Sequence, residues 1–321
     1  MKIAILGTGA VGGYLGGRLA QAGKDVTFIA RGKHLDAIVT EGLQIQSING
    51  DFIIHPVTAT DRPENIGNVD LVLCCVKSWQ VPEVTGAIRL LVGPETLVIP
   101  IQNGVEAHTI LSHELGTKHV LPGLCRLISM VEAPGHIRHA GADPYFTFGE
   151  LDGRFTERTG KVAEVFAGAK GLTVEVSRNI IPELWKKFML IAPWGGVGAI
   201  TRSPIGIFRS MPETRKILIK SIQEVFDVAH AKGVKIEEGA VDATIGFIDQ
   251  LPPDGTASMQ RDIMEGRPSE LNEQCGAVVK YGKQGGIQTP VNRMIYRRTL
   301  WGKGIVFQFK SIVSYNIYSI G

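Results

Sequence analysis

The residues of this chain with the plainest chemical potential stand near its start. Gly7-Thr8-Gly9-Ala10-Val11-Gly12 sets three glycines at G-x-G-x-x-G spacing. Bare backbone N–H groups at the positive end of a helix dipole hold an anion such as pyrophosphate. In such a turn Gly7 permits the tight bend, Gly9 admits the anion, and Gly12 lets helix and strand pack closely. The flanks agree: Lys2 to Leu6 reads as a buried strand, and Val11, Tyr14, Leu15 and Leu19 recur at helical spacing. A second strand, Asp25 to Ala30, follows. Strand, glycine turn and helix make a dinucleotide-binding fingerprint, with Gly7, Thr8, Gly9, Ala10, Val11 and Gly12 as candidate cofactor contacts. The glycine spacing, without a small-residue cleavage site, also sets this opening apart from a secretory signal peptide.

The end of the second strand selects the cofactor. A carboxylate there would accept hydrogen bonds from the ribose of NAD, but the chain reads Phe28-Ile29-Ala30-Arg31-Gly32-Lys33. Two cations stand where the acid would be, and an arginine fork suits a phosphate. The expectation is NADPH, with Arg31 as main contact and Lys33 as helper. The plain alternative is that Arg31 starts a solvated loop.

Further along, Lys77 ends the apolar run Val69 to Val76, and Asn103 follows the run Thr96 to Ile101. Ligands of open α/β sheets bind beyond the carboxyl ends of strands, so both should face the cofactor. A surface lysine and an Asn-Gly turn are the bland alternatives. In the helix beginning at Pro182, Leu184, Lys187 and Ile191 form one row beside the apolar row Trp185, Phe188 and Ala192. A lysine against apolar groups is costly to charge, so its pKa should fall, which suits a proton donor near neutrality. The alternative is a snorkelling lysine with a wet head. Lys186 points elsewhere and has no distinguishing partner. Later, Ser269 reads as a helix N-cap with Glu270 in the first turn, and Asp262 could pair with an arginine on a solvated face.

These groups need a scaffold. The first half alternates buried strands and helices, with Tyr145 to Gly149 and Leu172 to Val176 as later strands. From about Ile180 the pattern turns helical, with helices from Pro182, over Thr214 to Lys232, and near Arg267 to Tyr281. The expected fold is α/β: an N-terminal Rossmann-type doubly wound parallel sheet (1–178) followed by an all-helical C-terminal domain (179–321), hinged near Ser177 to Pro182. A length of 321 residues suits two domains. The net charge of +3 implies no attraction to nucleic acid or membrane surfaces. Phe188 to Ile200 is too short, and too broken by Pro193 and glycines, to span a bilayer. Cys74, Cys75, Cys125 and Cys275 lack metal-ligand spacing, so no metal site and a reduced, cytoplasmic protein are expected. The tail after Trp301 follows no readable pattern. The sequence is compatible with a homodimer and specifies no interface.

Taken in order, GTGAVGG, Arg31, VKSWQV with Lys77, QNGVE with Asn103, LWKKF with Lys187, SMQRDI with Ser258 and Asp262, GRPSEL with Glu270 and GIQTPVNRMIY resemble the ketopantoate reductase (2-dehydropantoate 2-reductase) family over nearly the whole chain. The resemblance implies an NADP-dependent oxidoreductase that reduces a 2-keto acid, a small-molecule partner, to the 2-hydroxy acid. It implies Lys187 as general acid and Glu270 as the group that orients it and accepts a hydrogen bond from the substrate hydroxyl. It implies Ser258 on the substrate carboxylate, Asn103 and Lys77 at the nicotinamide end and the keto acid, and Asp262 as support. The chain departs from the family pattern four and eight residues after Lys187, where asparagines usually stand and Ile191 and Gly195 are found. On one helix face these would point at substrate and favour a bulkier or less hydroxylated keto acid. The alternative is a catalytically silent NADPH-binding protein with a redox-sensing or partner-binding role.

Overall fold

The structure is a computed structural model that describes residues 1–300; the tail beyond Trp301 lies outside the described residues. The chain divides into two compact units, Met1–Ile181 and Pro182–Gly321. In chain order the first carries β1 (Lys2–Leu6), α1 (Ala10–Gln21), β2 (Asp25–Ile29), α2 (Gly32–Glu41), β3 (Leu43–Ser47), β4 (Phe52–Ile54), β5 (Ala59–Thr60) and β6 (Val69–Cys74). It continues with α3 (Val81–Arg89), β7 (Val92–Pro100), α4 (Ala107–Leu115), β8 (Gly123–Ala133), β9 (His136–Phe148), α5 (Glu157–Phe166) and β10 (Thr173–Val176).

The first sheet runs β5-β2-β1-β6-β7, and every pair in it is parallel. Its strands are apolar on both faces, as a sheet covered on both sides requires. Ala4, Leu6, Val72 and Cys74 bury one face against Val81 and Ile88 of α3 and Leu111 of α4. Ile3, Ile5 and Phe28 bury the other with Leu15 and Leu19 of α1. The expected doubly wound parallel sheet is therefore present, and the strand order reverses direction beside β1.

The first unit also holds a second sheet that the sequence did not announce. It runs β10-β9-β3-β4, with β8 antiparallel to β9. The runs Tyr145 to Gly149 and Leu172 to Val176 belong to this mixed sheet, with Tyr145 opposite Thr173, and not to the parallel one. Its apolar face, including Ile45, Ile137, Phe146 and Phe148, joins the core on the far side of α1. Arg18 fastens α1 to it. The guanidinium is 2% exposed and donates to Tyr14 Oη (3.2 Å), Gln21 Oε1 (3.1 Å) and Ser47 Oγ (3.0 Å).

Where β9 ends, the buried Glu150 accepts from Arg158 Nε (2.7 Å) and Thr156 Oγ1 (2.6 Å). Burial alone would raise its pKa, but the Arg158 and Thr156 hydrogen bonds outweigh that and hold it below the usual value. A folded pKa below the unfolded one stabilises the protein above the unfolded value, about 4.3, and that stability is lost as pH falls through the folded value. Glu150→Gln should therefore melt below wild type at pH 7, and the gap in Tm should close toward pH 3. A gap independent of pH would mean that packing, not charge, is lost.

The second unit is helical. After α6 (Ile180–Thr201) come α7 (Ile205–Ser210), α8 (Pro212–Ala231), α9 (Ala240–Gln250), α10 (Ser258–Met264) and α11 (Ala277–Gly285), and residues 290–300 are helical again. The expected helix over Arg267 to Tyr281 is only partly found. A π-helical turn, Asn272–Gly276, precedes α11, with Gly276 N–H donating to Leu271 O at 2.9 Å. Ser269 lies outside any regular helix, and Glu270 sits where the winding begins, its carbonyl accepting from Gln274 N–H at 2.9 Å. The run around Pro193 is not broken: α6 continues through it for 22 residues. Among the described residues no helix is long and apolar enough to cross a membrane.

The TPVN segment of the late motif has a structural explanation. Buried Glu224 of α8 accepts from Val291 N–H (2.7 Å), Asn292 N–H (2.8 Å) and Asn292 Nδ2 (2.7 Å). A carboxylate thus caps the uncovered N–H groups that begin the 290–300 helix. Glu224→Gln should lower stability in equilibrium urea unfolding by about 1–2 kcal/mol, through loss of charge-assisted bonds. No change would remove the cap from the account.

Candidate active site

In the first unit, backbone pairing draws the expected cofactor residues together. β1 runs straight into the glycine turn. Gly7 N–H and Thr8 N–H both donate to Ile29 O, at 3.2 and 3.1 Å, and Thr8 Oγ1 donates to the same oxygen at 3.1 Å. Arg31 and Lys33, both exposed, therefore start immediately beside the turn. Gly7 has φ +95°, and a Cβ on it would lie 2.9 Å from Val76 N. Only glycine meets both demands. A Cβ on Gly12 would lie 2.3 Å from Gly7 O. The turn thus packs directly against the segment that carries Lys77.

Gln102, which sequence reasoning passed over, ties in the third strand end. Its amide nitrogen donates to Cys74 O (2.7 Å) and Val76 O (3.1 Å), so the β7 exit bearing Asn103 is clamped to the β6 exit bearing Lys77. The signal was local, an amide beside Asn103, but its partners are set by tertiary pairing. Burial pushes the neighbouring Cys74 thiol up to about 11, so it stays protonated and inert.

These residues fit a dinucleotide. α1 begins at Gly9 with no side chain capping its first N–H groups and no acidic residue in its first turn. A Cβ on Gly9 would meet nothing within 4 Å, so the approach to those groups is open. Uncapped N–H groups at a helix start form an anion site. Among the described residues, neither Arg31 nor Lys33 has an ion-pair partner within 4.0 Å.

In the second unit, α6 presents Lys187 and Ile191, both half-buried, one turn apart. The nearby α6 residues Leu184, Trp185 and Phe188 are buried, and Trp185 meets Phe188 edge-on at 5.6 Å. Lys186 is not partnerless as the sequence suggested, because its Nζ lies 2.7 Å from Glu237 Oε1. Gly195 is buried against α10: a Cβ there would lie 2.8 Å from Met259 Cε and 3.6 Å from Ala257 Cβ. Met259 and Ala257, at the start of α10, thus border Gly195. Ser258, between those two residues, opens α10 and is half-buried.

Asp262 does pair with an arginine, Arg267 Nε at 3.0 Å, but the carboxylate is buried and not on a solvated face. Arg267 N–H also donates to Asp262 O at 2.7 Å, so the pair fixes the turn leading to Glu270. Glu270 is 3% exposed, and its Oε2 accepts from Gln274 Nε2 at 3.2 Å. Gln274 was not singled out in the sequence, although its i+4 spacing from Glu270 was visible. Chemically, the unit offers an amine flanked by apolar groups, a buried carboxylate fixed by an amide, and a hydroxyl at a helix start.

The parallel sheet with its uncapped glycine turn defines a dinucleotide-binding domain of the Rossmann type. The chain matches the family models "Ketopantoate reductase PanE/ApbA" over residues 3–153 and "Ketopantoate reductase PanE/ApbA C terminal" over residues 179–299, and it belongs to the ketopantoate reductase family. It is 29% identical over 298 residues to the uncharacterized oxidoreductase YkpB of Bacillus subtilis (strain 168), covering 92% of this chain and 97% of that protein. It is 30% identical over 311 residues to the 2-dehydropantoate 2-reductase of Mesorhizobium japonicum, covering 90% and 94% respectively. The crystal structure of a PanE/ApbA family ketopantoate reductase from Ralstonia eutropha JMP134 superposes with a TM-score of 0.87 at 32% identity, over 95% of this chain and 99% of that one.

Proposed function

We propose that this chain reduces a 2-keto acid, ketopantoate or a related one, to the 2-hydroxy acid with NADPH. The observation that carries the reading is that one chain holds an uncapped dinucleotide turn with Arg31 and Lys33 at the next strand end in its first unit, and Lys187 with a buried, amide-held Glu270 in its second. A bound NADPH supplies the hydride. Gly7 to Gly12 hold its pyrophosphate, Arg31 and Lys33 its ribose phosphate, and Lys77 and Asn103 its nicotinamide end. Lys187 donates a proton to the carbonyl oxygen as the carbon is reduced, so that C=O becomes CH–OH. Glu270 keeps the ammonium group of Lys187 in line and accepts from the new hydroxyl. Ser258 holds the carboxylate, and the Asp262–Arg267 pair supports the turn behind Glu270.

Ile191 presents an alkyl group one turn beyond Lys187, which favours a keto acid with a less hydroxylated side chain. The test is a panel of 2-keto acids (ketopantoate, 2-ketoisovalerate, 2-ketoisocaproate, phenylpyruvate) assayed for NADPH oxidation by the purified protein. At least one acceptor should be turned over well above background. Tight NADPH binding with no turnover would replace this function with the silent nucleotide-binding role.

A further inference from the structure

The chain that enters β8 carries one more cation to the ligand-binding end of the parallel sheet. It runs beside β7 in the same direction: Val120 bridges Val98 in parallel, and Leu121 N–H donates to Val98 O at 3.1 Å. At Gly123 it abuts the carboxyl end of β7, where a Cβ would lie 2.5 Å from Ile99 Cγ2 and 3.4 Å from Pro100 O. From Gly123 to Arg126 the strand is regularly paired with β9, so at about 3.3 Å per residue Arg126 stands roughly 10 Å further along. Ligands of open α/β sheets bind beyond the carboxyl ends of the strands, and Asn103 leaves β7 at this same end.

Two features of Arg126 point to a ligand. Its side chain is exposed and uncommitted. Among the described residues it makes no hydrogen bond or ion pair, only a cation–π contact 5.9 Å above the Tyr145 ring. Regular pairing also stops there. From Arg126 to Ile128 β8 advances two residues, while β9 runs from Tyr145 back to Ala140 and bulges out opposite Leu127. The bulge contains Gly141, at φ +82°. Bulges re-aim neighbouring side chains and are over-represented beside active sites. The group so presented is a guanidinium fork, whose planar donors match the two oxygens of a carboxylate.

We infer that Arg126 is a substrate-binding residue whose guanidinium takes the C1 carboxylate of the 2-keto acid through two parallel hydrogen bonds. A carboxylate has about four lone-pair sites, so the fork and the Ser258 hydroxyl can share it. The contact rests on the proposed keto acid reductase function for the identity of its ligand.

The purified full chain, saturated with NADPH, is titrated with oxamate, a non-reducible 2-keto acid mimic, and binding is read from NADPH fluorescence. Arg126→Gln should weaken oxamate about 10–100-fold, the range for lost charge-assisted bonds, and leave NADPH affinity unchanged. Arg126→Lys, which keeps the charge but not the fork, should recover only part of the loss. In steady-state assays with the best acceptor of the keto acid panel, Arg126→Gln should raise KM by a similar factor with little change in kcat. The preference for that acid over its neutral methyl ester should fall by the same factor, which a merely structural residue would not produce. An oxamate affinity unaltered by Arg126→Gln, an equal loss for acid and ester, or a parallel loss of NADPH affinity would overturn the assignment. Keto acid turnover with an unaltered KM would overturn the Arg126 contact alone and leave the reductase function standing. Oxamate binding that Arg126→Gln abolishes, in a protein that reduces no keto acid, would support the contact and overturn the reductase function, so the two failures are separable.

Discussion

Lys187→Ala should lower kcat by a factor of about 10²–10⁴ and leave the NADPH dissociation constant unchanged, the signature of a lost general acid. Lys187 is half-buried on α6, and alanine is the strongest helix former, so the helix should persist. The adjacent lysine makes an internal control. Lys186 is engaged with Glu237, so Lys186→Ala removes an equal charge from the same turn and should retain activity. A surface ion pair of that kind contributes about 0–1 kcal/mol to stability. Steady-state kinetics and NADPH titration of both variants decide the matter. Equal losses from Lys186→Ala and Lys187→Ala, or a parallel loss of NADPH affinity, would make Lys187 structural.

Arg31→Ala should weaken NADPH about 10–100-fold, the range expected for lost charge-assisted hydrogen bonds to a phosphate, and weaken NADH far less. Arg31 follows Ile29, whose carbonyl is bound by Gly7, Thr8 and the Thr8 hydroxyl, so its backbone origin is fixed while its side chain is exposed. Lys33→Ala should show the same preference with a smaller loss, since a lysine offers a point charge and no fork. Fluorescence titration with both cofactors measures the ratio. Parallel weakening of NADPH and NADH by Arg31→Ala would contradict the phosphate role.

The parts legible in the sequence are those set by neighbours in the chain. The glycine turn, its strand and its helix lie within about one βα unit, where spacing and burial pattern are local consequences of backbone sterics. β1 came out over Lys2–Leu6 as read, and the all-parallel sheet followed from unalternating apolar runs. The second sheet was not legible because its pairings are distant: Gln44 finds His136 and Thr173 finds Tyr145. Nothing in the run around Tyr145 says which sheet will take it.

The site shows the same division. Helical spacing put Lys187, Ile191 and Gly195 on one face, but whether that face is open at Gly195 depends on Met259, a residue of another helix. Gln102 and Gln274 are ordinary amides in the sequence. They become informative only when tertiary structure brings Gln102 to the β6 exit and gives Gln274 a buried carboxylate to hold.

The most direct test of the central claim follows the hydride itself. The protein is incubated with NADPH carrying deuterium at the transferred C4 position and with the best acceptor of the keto acid panel, and the product is analysed by mass spectrometry. The account predicts a 2-hydroxy acid heavier by one deuterium, located at C2, and no such product from Lys187→Ala on the same timescale. Unlabelled hydroxy acid, or labelled cofactor that stays intact with every keto acid, would contradict it.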